Sequence, residues 1–234
     1  LEKKVLDPIY KKYDLIVPVS NSAKINILKY FKNLENKCKV AYCIVDAYDI
    51  KNLAKKGKSF NSNKLHILTI GRLNKEKGID LAIKTCELLV REGYKFEWFV
   101  LGDGDQKKYL ENLIKEKRLE DYFFLKGHVN NPYGYLKNCD IYVQPSYLES
   151  YCLTVNEAKI FNRPIVCTDL PAFKEQLKNN ETGIICRINS NSLAKGIKKI
   201  LNSDEVKYRL SEELSKHEYS SMDTINFFEN YILK

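Results

Sequence analysis

Methionine is almost missing from these 234 residues: Met222 is the only one, so Leu1 is not an ordinary translation start and the chain is expected to be a fragment. No run approaches the roughly 18 uncharged apolar residues that a membrane-spanning helix needs. Glycine (10) and proline (6) are too few for a collagenous or low-complexity chain. Histidine occurs 3 times, and the 7 cysteines include no C-x-x-C pair, so no zinc site is expected. Most cysteines fall in short apolar runs, where a thiol behaves as a small hydrophobe. They read as reduced, which places the chain in the cytoplasm.

Charge is abundant, but it is not organised for nucleic acid. The net charge is +9, yet only Arg72, Arg91, Arg118, Arg163, Arg187 and Arg209 are arginine, and the lysines alternate with glutamate along the chain. Nucleic-acid binders concentrate charge in a patch and favour the planar guanidinium. A solvated surface explains the pattern better, and no nucleic-acid partner is expected. The excess still favours anionic ligands and anionic membrane surfaces.

From residue 65 onward, apolar strand-like runs alternate with helix-like segments. Leu65–Ile70, Phe96–Leu101, Tyr122–Leu125, Asp140–Gln144, Pro164–Thr168 and Thr182–Cys186 read as strands. Helical spacing appears over Lys77–Arg91, Gln106–Arg118, Pro132–Lys137, Leu153–Phe161 and Ala172–Lys178, then Ser192–Leu201, Glu205–Lys216 and Met222–Leu233. Short apolar strands joined by helices predict an α/β fold: a doubly wound, Rossmann-like parallel sheet covered on both faces, followed by C-terminal helices. Ligands are expected beyond the carboxyl ends of its strands. Residues 1–45 repeat the pattern, with strands at Asp14–Val19 and Lys39–Ile44 and a helix after Ser20; two βα units suit only the end of a larger, truncated domain. Residues 46–63 are polar and read as a linker, leaving 64–234 as the C-terminal domain.

Four segments place unusual residues at strand ends. Gly71 to Gly78, with Arg72 and Lys77, sets two cations beside a helix start, as a diphosphate site requires; alone, a turn with two surface cations explains it equally well. Gly102-Asp103-Gly104 lets a ligand approach the backbone or makes a plain turn, and Lys107 breaks the dinucleotide fingerprint. Gly127 to Asn131, including Val129 and Asn131, can hold a nucleobase. The sharpest is Glu149-Ser150-Tyr151-Cys152-Leu153, with Glu157 eight residues after Glu149, so that both carboxylates can line one cleft and bind diols.

Together, Gly71–Gly78 as G-R-L-x-x-x-K-G, G-D-G, G-H-V and the E-x7-E spacing of Glu149 and Glu157 resemble the donor-binding half of family-4 glycosyltransferases of the GT-B fold. The resemblance runs from about Leu65 to the C-terminus, and residues 14–46 resemble the end of that family's N-terminal domain. It implies a retaining enzyme with a nucleoside-diphosphate sugar as donor and no metal or other cofactor. It implies that Arg72 and Lys77 hold the diphosphate, that Glu149 contacts the sugar and Glu157 the ribose, and that Tyr151, Cys152 and Leu153 offer backbone N–H groups. Val129 and Asn131 would lie near the base. The acceptor, a glycan, lipid-linked compound or protein, would bind through the absent N-terminal domain, at the inner face of a membrane if lipid-linked. Two departures stand out. Cys152 occupies a position that is often glycine, where a positive φ would be strained, and Cys43-Ile44-Val45 replaces a segment that often contains Pro and Asn. An epimerase or phosphorylase of the same fold and a non-catalytic sugar-nucleotide module are the alternatives.

Overall fold

The computed structural model describes residues 6, 8–217, 219 and 221–231. Six parallel strands form one sheet in the order β3-β2-β1-β4-β5-β6. They are β1 (His66–Ile70), β2 (Glu97–Leu101), β3 (Phe123–Leu125), β4 (Ile141–Gln144), β5 (Ile165–Thr168) and β6 (Ile184–Cys186). After β1 the chain works outward through β2 and β3. It then returns to pair β4 with β1, Ile67 lying opposite both Trp98 and Ile141. The winding therefore reverses between β1 and β4. The crevice beyond their carboxyl ends is where such a sheet binds ligands.

Side chains alternate between the two faces. Ile67, Trp98, Val100, Ile141, Val143 and Val166 enter one core cluster; Leu68, Phe99, Leu101, Tyr142, Ile165 and Cys167 enter the other. Helices α3 (Ile79–Arg91) and α8 (Ser190–Leu201) bury their apolar stripes in the first cluster. Helices α2 (Ala47–Lys56), α5 (Tyr133–Asn138) and α6 (Leu153–Ile160) cover the second. The remaining helices are α1 (Asn21–Tyr30), α4 (Lys107–Glu116), α7 (Pro171–Lys174), α9 (Asp204–Ser215) and α10 (Met222–Tyr231). Buried polar groups within the sheet are satisfied: the Trp98 indole donates to Thr69 Oγ1 (3.0 Å), which donates to the Val143 carbonyl (2.7 Å). No helix of the described residues is long and apolar enough to cross a membrane, and all seven cysteines are free thiols.

Two expectations need correction. Asp14–Val19 and Lys39–Ile44 do not form strands; they run parallel with a single bridge, Ile16 to Cys38, and a 3-10 turn at Lys32–Lys37 between them. With no third strand described beside them, two parallel segments cannot sustain a ladder. Residues 46–63 are not coil throughout, because Ala47–Lys56 is helical. Its polar composition hides a short apolar stripe, Ile50 and Ala54, that packs into the second core cluster. Asp46 caps it by accepting from the Asp49 N–H (2.9 Å). The end of the expected last helix, residues 232–233, lies outside the described residues.

Candidate functional site at the β1 and β4 strand ends

The loops after β1, β2 and β4 form one continuous surface because their glycines let backbone meet backbone. Asn74 caps a 3-10 turn at Lys75–Lys77, accepting from the Lys77 N–H (3.2 Å), and Gly78 follows in the left-handed conformation (φ 64). A Cβ at Gly78 would lie 2.1 Å from the Pro145 carbonyl oxygen. The Tyr147 N–H donates to the Glu76 carbonyl (2.7 Å), clamping the β4 loop to the β1 loop. The β2 loop stacks on the other side: a Cβ on Gly102 would meet Gly71 O at 2.0 Å, and one on Gly104 would meet Leu73 O at 2.4 Å. The missing side chains of Gly102 and Gly104 thus serve the approach of the protein's own loops.

The two cations behave differently. Arg72 is exposed, and its guanidinium has no hydrogen-bond or ion-pair partner among the described residues. Lys77 Nζ donates to Glu149 Oε1 at 2.6 Å, in a pair whose side chains are 24% and 7% exposed. Glu149 is held from beneath by residues that sequence reading did not single out. Tyr142 OH donates to Gln144 Oε1 (2.6 Å), Gln144 Nε2 to Ser146 Oγ (2.9 Å), and Ser146 Oγ to the same Glu149 oxygen (2.8 Å). Every donor in this chain points the same way, toward the carboxylate. Gln144 and Ser146 are fully buried, so the chain fixes the carboxylate's position. A glutamine ending an apolar strand, two residues before a serine, was the available signal.

Glu157 lies on α6, and its Oε1 accepts from Tyr133 OH at 3.0 Å. Burial raises the Glu157 carboxyl above its ordinary range, and the Tyr133 hydrogen bond only partly opposes this. Tyr133 itself is pushed up to about 12, by burial first and by the Glu157 charge second. The sign of the consequence follows by linkage. A raised folded-state value favours the proton-bound form, so that contribution to stability is present below pH 4.5 and is lost as pH rises through the folded value. Glu157→Gln is therefore expected to raise the melting temperature at neutral pH. The gain should shrink as pH falls through the carboxylate range, which paired thermal melts would follow.

Cys152 closes the loop with φ 77 and ψ 85, ahead of α6. It is a non-glycine residue in the left-handed region, the strained case raised by the departure at this position. Its thiol is pushed up to about 12 by burial and is therefore no nucleophile. Cys152→Gly is expected to change stability by less than about 1 kcal/mol, because relief of strain offsets the lost thiol contacts. Cys152→Val, β-branched at the same φ, should cost more than about 2 kcal/mol in denaturant melts.

The backbone N–H groups of Tyr151, Cys152, Leu153 and Thr154 have no hydrogen-bond partner among the described residues, leaving the start of α6 open to an anion. Other predicted positions also make contacts within the fold. The Ser150 carbonyl accepts from Ser20 Oγ. The Tyr151 ring packs 5.5 Å from that of Tyr42, and its hydroxyl accepts from Asn156 (2.6 Å). Val129 is half-buried against the second core cluster. Both ends of the Asn131 amide are committed, Nδ2 to Leu53 O (2.8 Å) and Oδ1 to the Tyr133 N–H (3.2 Å). Asn131 thus ties α2 to α5. Among the described residues, no group of three or more His, Cys, Asp or Glu side chains could hold a metal ion.

The family model for glycosyl transferases group 1 matches residues 50–217. An N-acetylgalactosamine-N,N'-diacetylbacillosaminyl-diphospho-undecaprenol 4-alpha-N-acetylgalactosaminyltransferase of Campylobacter jejuni is 30% identical over 88% of this chain and 56% of its own length. A poly(ribitol-phosphate) alpha-N-acetylglucosaminyltransferase of Staphylococcus aureus is 26% identical over 99% of this chain and 45% of its own. The chain thus spans about half the length of these curated relatives. Among solved structures, S. aureus TarM, as a mutant in complex with fondaparinux, alpha-GlcNAc-glycerol and UDP, superposes with a TM-score of 0.83 at 23% identity, over 98% of this chain and 45% of that one. Anabaena HepE in complex with UDP gives 0.84 at 15% identity, over 99% and 67%. These two likenesses establish the fold.

Proposed function

This chain belongs to the family of glycosyl transferases group 1, and we propose that it forms the donor half of a retaining glycosyltransferase acting on a nucleoside-diphosphate sugar. The observation that carries this reading is the convergence at the β1 and β4 strand ends. A lysine paired with Glu149 stands at the same strand ends as an arginine and four helix-start N–H groups that have no hydrogen-bond or ion-pair partner among the described residues. UDP is the nucleotide to test first, since both solved relatives above hold it. The α-linkages named for the two curated relatives support retention, the outcome expected from an α-linked donor.

The charges suggest how the steps divide. Arg72 offers a fork of donors to the diphosphate, and Lys77 has N–H donors left after its bond to Glu149. Both compensate the charge that builds on the leaving phosphate, so the reading needs no divalent ion. Glu149, fixed by Ser146, accepts from sugar hydroxyls near the reacting carbon. Glu157, a half-desolvated carboxylate, accepts from the ribose. The acceptor, glycan, lipid-linked or protein, then enters from residues outside this chain. The net charge of +9 would favour work at an anionic membrane surface.

Full-length protein, incubated with nucleotide-sugars, tests this. Release of nucleoside diphosphate that depends on an added acceptor is the expected result. Conversion of one sugar nucleotide to another without acceptor would replace the transferase with an epimerase.

A further inference from the structure

Lys159 lies on α6 two residues beyond Glu157, about 200° around the helix and so on its other side. Its side chain lines a cavity of about 430 Å³, with Lys174, Glu175, Gln176, Lys178, His217 and Tyr219, and also a second of about 200 Å³. Burial lowers the Lys159 amine to about 8. Its polar contact is distant, the Gln176 carbonyl at 3.5 Å, and its ammonium stands 5.3 Å from the Tyr219 ring. No carboxylate among the described residues comes within ion-pair distance. Asp223 lines the smaller cavity but does not reach it.

The neighbouring charges are already matched. Lys174 pairs with Asp169 (2.6 Å) and Lys178 with Glu181 (3.1 Å). Glu175, the one acid lining the larger cavity among the described residues, has both oxygens on the first N–H groups of α1, Asn21 at 2.8 Å and Ser22 at 2.6 Å. That leaves Lys159 as a desolvated ammonium with unused donors, facing a cavity whose only carboxylate among the described residues is spent. Such a group has no counter-ion among the described residues, and the cavity has room for one.

We infer that this cavity is an anion site, taking the phosphate group of a small soluble phosphate monoester with Lys159 as its central cation. It lies apart from the proposed diphosphate site and does not rest on that reading. The two are nonetheless linked, because Gln176, whose carbonyl touches Lys159, donates through Nε2 to the Tyr151 carbonyl in the loop between Glu149 and Cys152.

Calorimetric titration of the chain with inorganic phosphate and with glycerol phosphate tests it, comparing the wild type with Lys159→Met and Arg72→Ala. The expected result is saturable binding that falls at least tenfold in Lys159→Met and stays within about twofold in Arg72→Ala. Acylation of Lys159, followed by mass spectrometry in the unaltered chain, should also slow when phosphate is present. Equal binding by Lys159→Met, a loss confined to Arg72→Ala, or no binding up to about 10 mM would overturn the site. Capture of the wild type, but not Lys159→Met, by phosphatidic acid vesicles without binding of the soluble probes would overturn the assignment to a soluble ligand.

Discussion

Replacing Glu149 with alanine in the full-length protein is expected to cut sugar transfer by about 10²–10³-fold, while nucleoside diphosphate affinity changes by less than about threefold. The asymmetry follows from what the carboxylate touches. Glu149 Oε1 accepts from Lys77 and from Ser146, and Ser146 is oriented by Gln144 and Tyr142. Removing the carboxylate frees the Lys77 ammonium for phosphate, so the diphosphate end keeps its cations. The sugar end loses an acceptor whose position had been fixed in advance. Steady-state kinetics combined with nucleotide titration separate the two effects. Normal turnover by Glu149→Ala would end the assignment.

Gly78→Ala is expected to cost about 3 kcal/mol of folding stability, or roughly 6–12 °C in melting temperature. Two costs add. An alanine at φ 64 is strained by about 1 kcal/mol. Its Cβ would also press on the Pro145 carbonyl, 2.1 Å away, and so prise the Lys77 loop from the Glu149 loop. Gly93 provides the control, since its φ is 86 but nothing lies within 4 Å of a Cβ there. Gly93→Ala should show only the conformational cost, about 1 kcal/mol. If the two variants melt alike, the close approach of the loops is not what holds the site together.

The parts of this fold that could be read in advance are those encoded locally. Parallel strands buried on both faces must be apolar runs, and β1 to β6 stand within two residues of those runs. Arg72, Lys77 and Glu149 could be picked out as candidates because each follows a strand end, and Glu157, within α6, because it stands eight residues after Glu149. Residues whose roles are set by distant partners could not. Tyr133 meets Glu157 from a different helix, and Asn131 spends its amide on Leu53, far away in sequence. The Tyr142, Gln144 and Ser146 chain looks like ordinary strand sequence until the fold places it beneath Glu149. Ala47–Lys56 was hidden for another reason. Its stability comes from a narrow stripe docking on the core rather than from composition, and only its Asp46 cap left a local sign.

The most direct measurement is a thermal-shift comparison of this chain with UDP, GDP, ADP, CDP, TDP and NAD, in the wild type and in Arg72→Ala. Arg72 is the informative variant because its guanidinium has no hydrogen-bond or ion-pair partner among the described residues, so its removal should leave the unliganded melting temperature unchanged. Nucleotide at about ten times its dissociation constant adds roughly 1.4 kcal/mol, a rise of about 3–5 °C for a chain of this size. The account predicts such a rise with one nucleoside diphosphate, UDP first, and its loss in Arg72→Ala. A rise with NAD alone, or one that Arg72→Ala leaves intact, would contradict it.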